Sequence, residues 1–213
     1  MKYVFLDLDG TISDSSEGIT NCIAEALETM GVRVEDKNTL KKYIGPPLSV
    51  SFRDYFEGED IERAIGLYRA RYRESGWKEN RMYPGIPEAL AALRKGGKQI
   101  VMATSKPEEF ARRIAEYFGI ASYFTAICGA SLDQRINTKA EVIAYAMKTL
   151  GLSDPKEIVM VGDRYHDVEG AAEFGIAALG VTYGFGTAEE LLQAGAFAVA
   201  DSPEEMSRSL LAM

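Results

Sequence analysis

Asp7 and Asp9 stand two residues apart at the end of a short apolar run, Tyr3-Val4-Phe5-Leu6, and Gly10-Thr11 follows them. A run of this length with β-branched and aromatic residues reads as a buried strand. Its period of two aims both carboxylates the same way. Two anionic groups so close need a cation, a shared proton or full hydration. In an open α/β sheet, ligands bind outside the carboxyl ends of the strands, which is where this pair falls. A strand running into an Asp-Gly turn is also ordinary punctuation, so the rest of the chain has to supply partners.

Three other stretches supply them. Gln99-Ile-Val-Met-Ala103 reads as a strand ending in Thr104-Ser105-Lys106, two hydroxyls and backbone amides ahead of a helix start at Pro107. That suits a phosphate cradle, although alone it is equally an N-cap. Glu157-Ile-Val-Met-Val161 ends in Gly162-Asp163-Arg164-Tyr165-His166-Asp167, two more aspartates at a strand end. Acidic oxygens gathered in this way suit a hard cation such as Mg²⁺, while Asp167 alone reads as a helix cap. Lys139 falls in the first turn of a helix spanning Lys139 to Leu150, where the macrodipole disfavours a cation.

The elements that must position these groups form two patterns. From about Ser15 to Arg81 the chain reads as helical. Asp14 and Glu17 offer a capping box for a helix through Ile19, Cys22, Ile23, Ala26, Leu27 and Met30. Shorter helices follow around Leu40 to Ile44 and around Phe52 to Phe56, and one more from Ile61 to Tyr72. From Tyr83-Pro84-Gly85 onward, helices and strands alternate, which implies a mostly parallel sheet. The expected fold is therefore α/β, a doubly wound Rossmann-like parallel-sheet core (1–14 and 82–213) with an inserted all-helical cap (15–81). The cap leaves the sheet beside Asp7 and Asp9, so it is expected to cover their edge as a lid.

The 213 residues and 46% hydrophobic content allow a sizeable core. A formal charge of -8 argues against nucleic acid or an anionic membrane as partner. Cys22 and Cys128 are far apart in apolar surroundings and read as reduced core residues. Asp7 arrives too early for a signal-peptide apolar region, and no run spans a bilayer. The expected location is cytoplasmic, and the expected state a monomer or homodimer.

Asp7-Leu8-Asp9-Gly10-Thr11, Thr104-Ser105, Lys139 and Gly162-Asp163 through Asp167 resemble, in that order, the four motifs of the haloacid dehalogenase-like superfamily. The resemblance covers the whole chain, cap included. Asp14-Ser15, Ile44-Gly45-Pro46-Pro47-Leu48 and Gly162-Asp163-Arg164 are most similar to the phosphoglycolate phosphatase and 5'-nucleotidase-like branch. Thr104-Ser105-Lys106 departs from that branch's Thr-Asn-Lys, a hydroxyl replacing an amide.

The resemblance implies Mg²⁺-dependent hydrolysis of a small phosphate monoester through an aspartyl-phosphate. Asp7 is then the nucleophile, and Asp9 the acid and base toward leaving alcohol and water. Asp7, the Asp9 carbonyl, Asp163 and, less directly, Asp167 are the implied metal ligands. Thr104, Ser105 and the amides of Leu8, Asp9 and Gly10 are implied phosphoryl contacts, with Lys139 neutralising charge and holding Asp7. Gly45 and Pro46 of the cap loop, with Lys42 and Arg53, are candidates for the leaving group, and Tyr43 or Phe52 for stacking on a base.

Other phosphoryl chemistries fit less well. His166, the single histidine, has an acidic rather than basic setting, and Arg135 falls one residue too late after Cys128 for a cysteine phosphatase. No Gly-x-x-x-x-Gly-Lys run is present, and Gly184-Phe185-Gly186 lacks the third glycine and the N-terminal strand context of a dinucleotide site. A phosphomutase of the β-phosphoglucomutase type shares all four motifs. A phospho-accepting regulatory module uses similar groups in a different order and without a cap.

Overall fold

In a computed structural model of the chain, residues 1–45, 47–133 and 135–213 are described. The chain divides into two compact units, Met1–Ser13 with Met82–Met213, and Asp14–Arg81. It crosses between them through two short strands that pair as a ribbon, β2 (Ser13–Asp14) and β3 (Arg81–Met82).

The first unit is built on a six-stranded parallel sheet. Its strands are β1 (Tyr3–Leu6), β4 (Gln99–Pro107), β5 (Phe124–Ala130), β6 (Ile158–Gly162), β7 (Ala177–Val181) and β8 (Ala198–Ala200). Their spatial order is β5-β4-β1-β6-β7-β8. The apolar runs read from the sequence are buried on both faces, as a parallel sheet covered by helices requires. Phe5, Val101, Ala103 and Met160 on one face pack with Val142, Ile143 and Ala146 of α6 (Lys139–Leu150) and with Val168 and Ala171 of α7 (Tyr165–Ala172). The remaining helices of this unit are α4 (Ile86–Lys95), α5 (Glu108–Tyr117), α8 (Ala188–Gln193) and α9 (Pro203–Leu211).

The order of the strands decides where chemistry can occur. After β1 the chain builds outward through β4 and β5, then crosses to the other side of β1 for β6, β7 and β8. The direction reverses between β1 and β6, so the crevice at a switch point opens beyond Leu6 and Gly162, ahead of Asp7 and Asp163.

The second unit contains α1 (Ser16–Thr29), α2 (Leu48–Phe52), α3 (Glu59–Glu74) and short 3-10 turns at Lys37–Tyr43 and Gly76–Lys78. The capping box expected at Asp14 and Glu17 does not form. Asp14 Oδ1 accepts from the Ser16 amide at 2.9 Å, while the Glu17 carboxylate turns to Arg81 at 3.0 Å. Arg71 ties α3 to α1 by donating to Glu25 Oε2, and to the residue after the Gly76–Lys78 turn by donating to Glu79 Oε1, each at 2.8 Å. Among the described residues, no helix is long and apolar enough to cross a membrane.

Candidate active site

Asp7 follows β1 directly, and its amide still donates to the Val161 carbonyl at 3.0 Å, so the β1–β6 pairing fixes its backbone. Asp163 follows β6, and Asp167 lies in the first turn of α7. Asp7, Asp163 and Asp167 each offer a carboxylate oxygen within 4.8 Å of the others. Lys139 reaches this cluster from the first turn of α6. Its ammonium lies 2.9 Å from Asp7 Oδ1 and 2.7 Å from Asp167 Oδ1, and it donates to the Ala103 carbonyl at 3.1 Å. The position that is wrong for the helix dipole is right for these two carboxylates.

Charge and burial are in tension here. Asp163 and Asp167 are almost fully buried. Burial pushes the Asp167 carboxyl up to about 6, with the Lys139 ammonium working against the rise. Asp163 is held well above the usual carboxylate range by burial and by its neighbours Asp167 and Asp7. Burial disfavours the Lys139 ammonium, yet Asp167 and Asp7 outweigh it and raise its affinity for the proton. One ammonium against three clustered carboxylates leaves an excess of negative charge that a divalent cation would balance.

Asp9 takes a different partner. Its Oδ2 meets the Lys106 ammonium at 2.5 Å, and the Lys106 side chain is 5% exposed. Beyond Thr104, β4 carries two more residues than β5, since Thr104 pairs with Gly129 and Pro107 with Ala130. Such an irregularity re-aims side chains beside active sites. Here Ser105 turns outward while Thr104 and Lys106 are buried. The Thr104 hydroxyl accepts from the Lys106 amide at 3.2 Å, which leaves its own proton to donate.

Lys106 is the residue that sequence reasoning left out. Its signal was present, a lysine directly after the Thr104-Ser105 pair, but an N-cap explains Thr-Ser before a proline equally well. One expected phosphoryl contact is corrected. The Gly10 amide donates to the Ser13 carbonyl at 2.8 Å, closing the turn that also brings the Thr11, Ile12 and Ser13 amides to the Leu8 carbonyl. An amide committed to its own turn does not point at a ligand.

Arg164 and His166 flank the cluster. The Arg164 amide donates to Asp167 Oδ2 at 3.2 Å, and its guanidinium to Glu190 Oε1 at 2.8 Å. The His166 ring lies 3.7 Å from that of Tyr165, and burial, reinforced by Arg164, lowers its proton affinity.

The remaining candidates, Lys42, Gly45, Arg53 and Pro46, belong to the second unit. Lys42 pairs with Asp54 Oδ2 at 3.1 Å and lies over the Tyr43 ring, so its charge is answered locally. Gly45 has φ 104°, and Arg53 ends α2 on the surface. Pro46 lies outside the described residues. The expectation that Tyr43 or Phe52 stacks on a base is corrected. Both are buried, Phe52 fully, and the Tyr43 hydroxyl donates to Asp54 Oδ2 at 2.6 Å.

Comparison with known proteins adds four findings. Residues 4–181 match the family model described as haloacid dehalogenase-like hydrolase. A 5'-nucleotidase of Pseudomonas aeruginosa is 41% identical over 190 residues, spanning 88% of this chain and 86% of the relative. Tyrosine-protein kinase PtkA of Mycobacterium tuberculosis is 42% identical over 188 residues, but the match spans only 64% of that longer protein. Among solved structures, a predicted phosphatase from Clostridium acetobutylicum superposes with a TM-score of 0.94 at 43% identity, covering 100% of this chain and 99% of the other.

Proposed function

The chain belongs to the haloacid dehalogenase-like hydrolases, and we propose that it is a Mg²⁺-dependent phosphatase acting on a small phosphate monoester. The observation that carries the proposal is Asp7. It is a carboxylate at the switch point of the sheet, held at 2.9 Å by a buried ammonium and within reach of two buried carboxylates. The likeness to a 5'-nucleotidase and to a predicted phosphatase supports the same reading.

Three clustered carboxylates, two of them buried and Asp7 partly so, with a surplus of negative charge fit a hard divalent cation better than a softer metal. Asp7, Asp163 and Asp167, with the Asp9 carbonyl, would hold Mg²⁺, which when bound shields the nucleophile from the anionic substrate. Asp7 attacks phosphorus and takes the phosphoryl group as an acyl phosphate while the alcohol leaves. Asp9 gives a proton to that alcohol, then takes one from the water that hydrolyses the acyl phosphate. The Thr104 hydroxyl and the Leu8 and Asp9 amides donate to phosphoryl oxygens, and Ser105 adds a second hydroxyl at the rim. Lys139 keeps Asp7 oriented and neutralises charge. Selection of the leaving group is assigned to the second unit, with Lys42, Gly45, Pro46 and Arg53 as candidates. A phosphorylated metabolite of the phosphoglycolate or nucleoside monophosphate type is the expected substrate.

Phosphate release from a panel of phosphomonoesters, with Mg²⁺ or with chelator, tests this for wild type and Asp7→Asn. Release that needs Mg²⁺ and vanishes in Asp7→Asn is the expected result. Substantial activity in Asp7→Asn would falsify the covalent route. The likeness to PtkA favours one second reading, transfer of the phosphoryl group to a tyrosine acceptor. That reading gains if a phosphorylated protein accumulates without phosphate release.

A further inference from the structure

Gly184-Phe185-Gly186 fails as a dinucleotide fingerprint, yet it lies against the acidic cluster. The turn leaves the end of β7, and β7 is the neighbour of β6, with Gly180 paired to Gly162 just ahead of Asp163. The Phe185 amide donates to Asp163 Oδ2 at 2.8 Å, and the Thr11 hydroxyl donates to Asp163 Oδ1 at 3.4 Å. A Cβ on Gly184 would stand 2.2 Å from the Gly10 carbonyl oxygen and 2.5 Å from the Asp163 Cβ. A Cβ on Gly186 would stand 2.0 Å from the Asp163 carbonyl oxygen. Backbone atoms on both sides of the turn therefore leave no room for a side chain. The Tyr183 hydroxyl donates to the Thr11 carbonyl at 3.0 Å, and its ring meets Tyr83 edge to face at 5.1 Å.

These contacts join three loops. The turn after β7 touches the Asp163 loop through Phe185 and Gly186, and the loop after Asp9 through Gly184 and Tyr183. It spans the two sides of the crevice at the point where the strand order reverses. Asp163 is fully buried, and the Phe185 amide gives it a shorter hydrogen bond than the Thr11 hydroxyl does. An isolated buried carboxylate can rotate about its side-chain bonds. One pinned by a backbone amide, and packed against the Gly10 and Gly184 backbones while Gly186 abuts the Asp163 carbonyl, is held in one rotamer.

We infer that the Tyr183-Gly184-Phe185-Gly186 turn is a positioning device that holds Asp163 in its metal-ligating orientation and sets the spacing between Asp163 and the Asp7–Asp9 segment. This rests on the Mg²⁺ site proposed above. Neither glycine touches substrate or metal; both act through Asp163.

Metal affinity, read without turnover, tests it. Mn²⁺ binding is followed by electron paramagnetic resonance, and Mg²⁺ by competition, for wild type, Gly184→Ala and Gly186→Ala, with thermal melting to confirm folding. The alanine variants are expected to fold and to bind Mn²⁺ about 10–100-fold more weakly, the range for loss of an outer-shell support. Folded variants that bind Mn²⁺ within about twofold of wild type overturn the inference and leave the phosphatase reading intact. Wild type that binds no Mn²⁺ overturns both. Should the variants not fold, the wild-type Phe185 amide proton decides. It is expected to exchange slowly with deuterium in metal-free protein and to shift in step with Mg²⁺ titration. Rapid exchange with no response to Mg²⁺ overturns the inference.

Discussion

Replacing Lys139 with methionine keeps most of its apolar length and removes its charge, which isolates what the ammonium does. The Lys139 side chain is 5% exposed and faces Asp7 and Asp167, at 13% and 2%. Without the ammonium, the buried Asp167 and the partly buried Asp7 lose the cation between them. Breaking a buried ion pair by deleting one partner destabilises by about 3–5 kcal/mol. At an effective dielectric of about 20, a single unit pair at about 4 Å interacts by about 4 kcal/mol, the same range. For a chain of this size each kcal/mol moves Tm by about 2–4 °C, so Lys139→Met should lower it by about 6–20 °C in metal-free protein at pH 7.5. The deficit should narrow on acidification. Burial already pushes the Asp167 carboxyl up to about 6 with the Lys139 ammonium opposing the rise, so in the variant it is raised further and the folded state binds the proton more tightly. A raised folded pKa means that the strain is greatest at high pH and is relieved as pH falls through the raised range. The assay is calorimetry or circular dichroism melting at pH 5 and pH 7.5, with chelator. A variant that melts within about 2 °C of wild type at pH 7.5, or whose deficit is unchanged at pH 5, refutes the reasoning.

Three further outcomes are expected. Lys106→Met should cut kcat about 10–100-fold on alkyl phosphates and far less on p-nitrophenyl phosphate, because only a poor leaving group needs the proton that a well-placed Asp9 delivers; an equal loss on both would mean that Lys106 is structural. Metal-free wild type should gain stability as pH falls from about 7 toward 5, since burial raises both Asp163 and Asp167, and saturating Mg²⁺ should flatten that slope in a melting series. Arg71→Leu should destabilise the second unit by about 1–2 kcal/mol, mainly by taking the guanidinium from the partly buried Glu79, which urea unfolding of that unit's Trp77 fluorescence would register.

The parts legible in the sequence are those that break a local rule. Aspartates at the ends of apolar strands and a lysine at a helix N-terminus each disturb a pattern set by neighbouring residues, so each can be noticed without the fold. The alternation of strands and helices likewise announces a parallel sheet. What it leaves open is the strand order, which puts β1 beside both β4 and β6 and so creates the crevice. Residues that obey a local rule while serving the site stay hidden. Lys106 follows Thr-Ser into a helix start and looks like surface, until two extra residues in β4 turn it toward Asp9. Gly184 and Gly186 look like loop punctuation, until the β6–β7 pairing carries their turn against Asp163. Asp167 shows why the two kinds of reading need not compete. One of its oxygens accepts from the Arg164 amide at the start of α7 and the other meets Lys139. A carboxylate has two oxygens, so a helix-start contact and an active-site contact belong to the same residue, and sequence logic that asks which of the two applies poses a choice the side chain does not have to make.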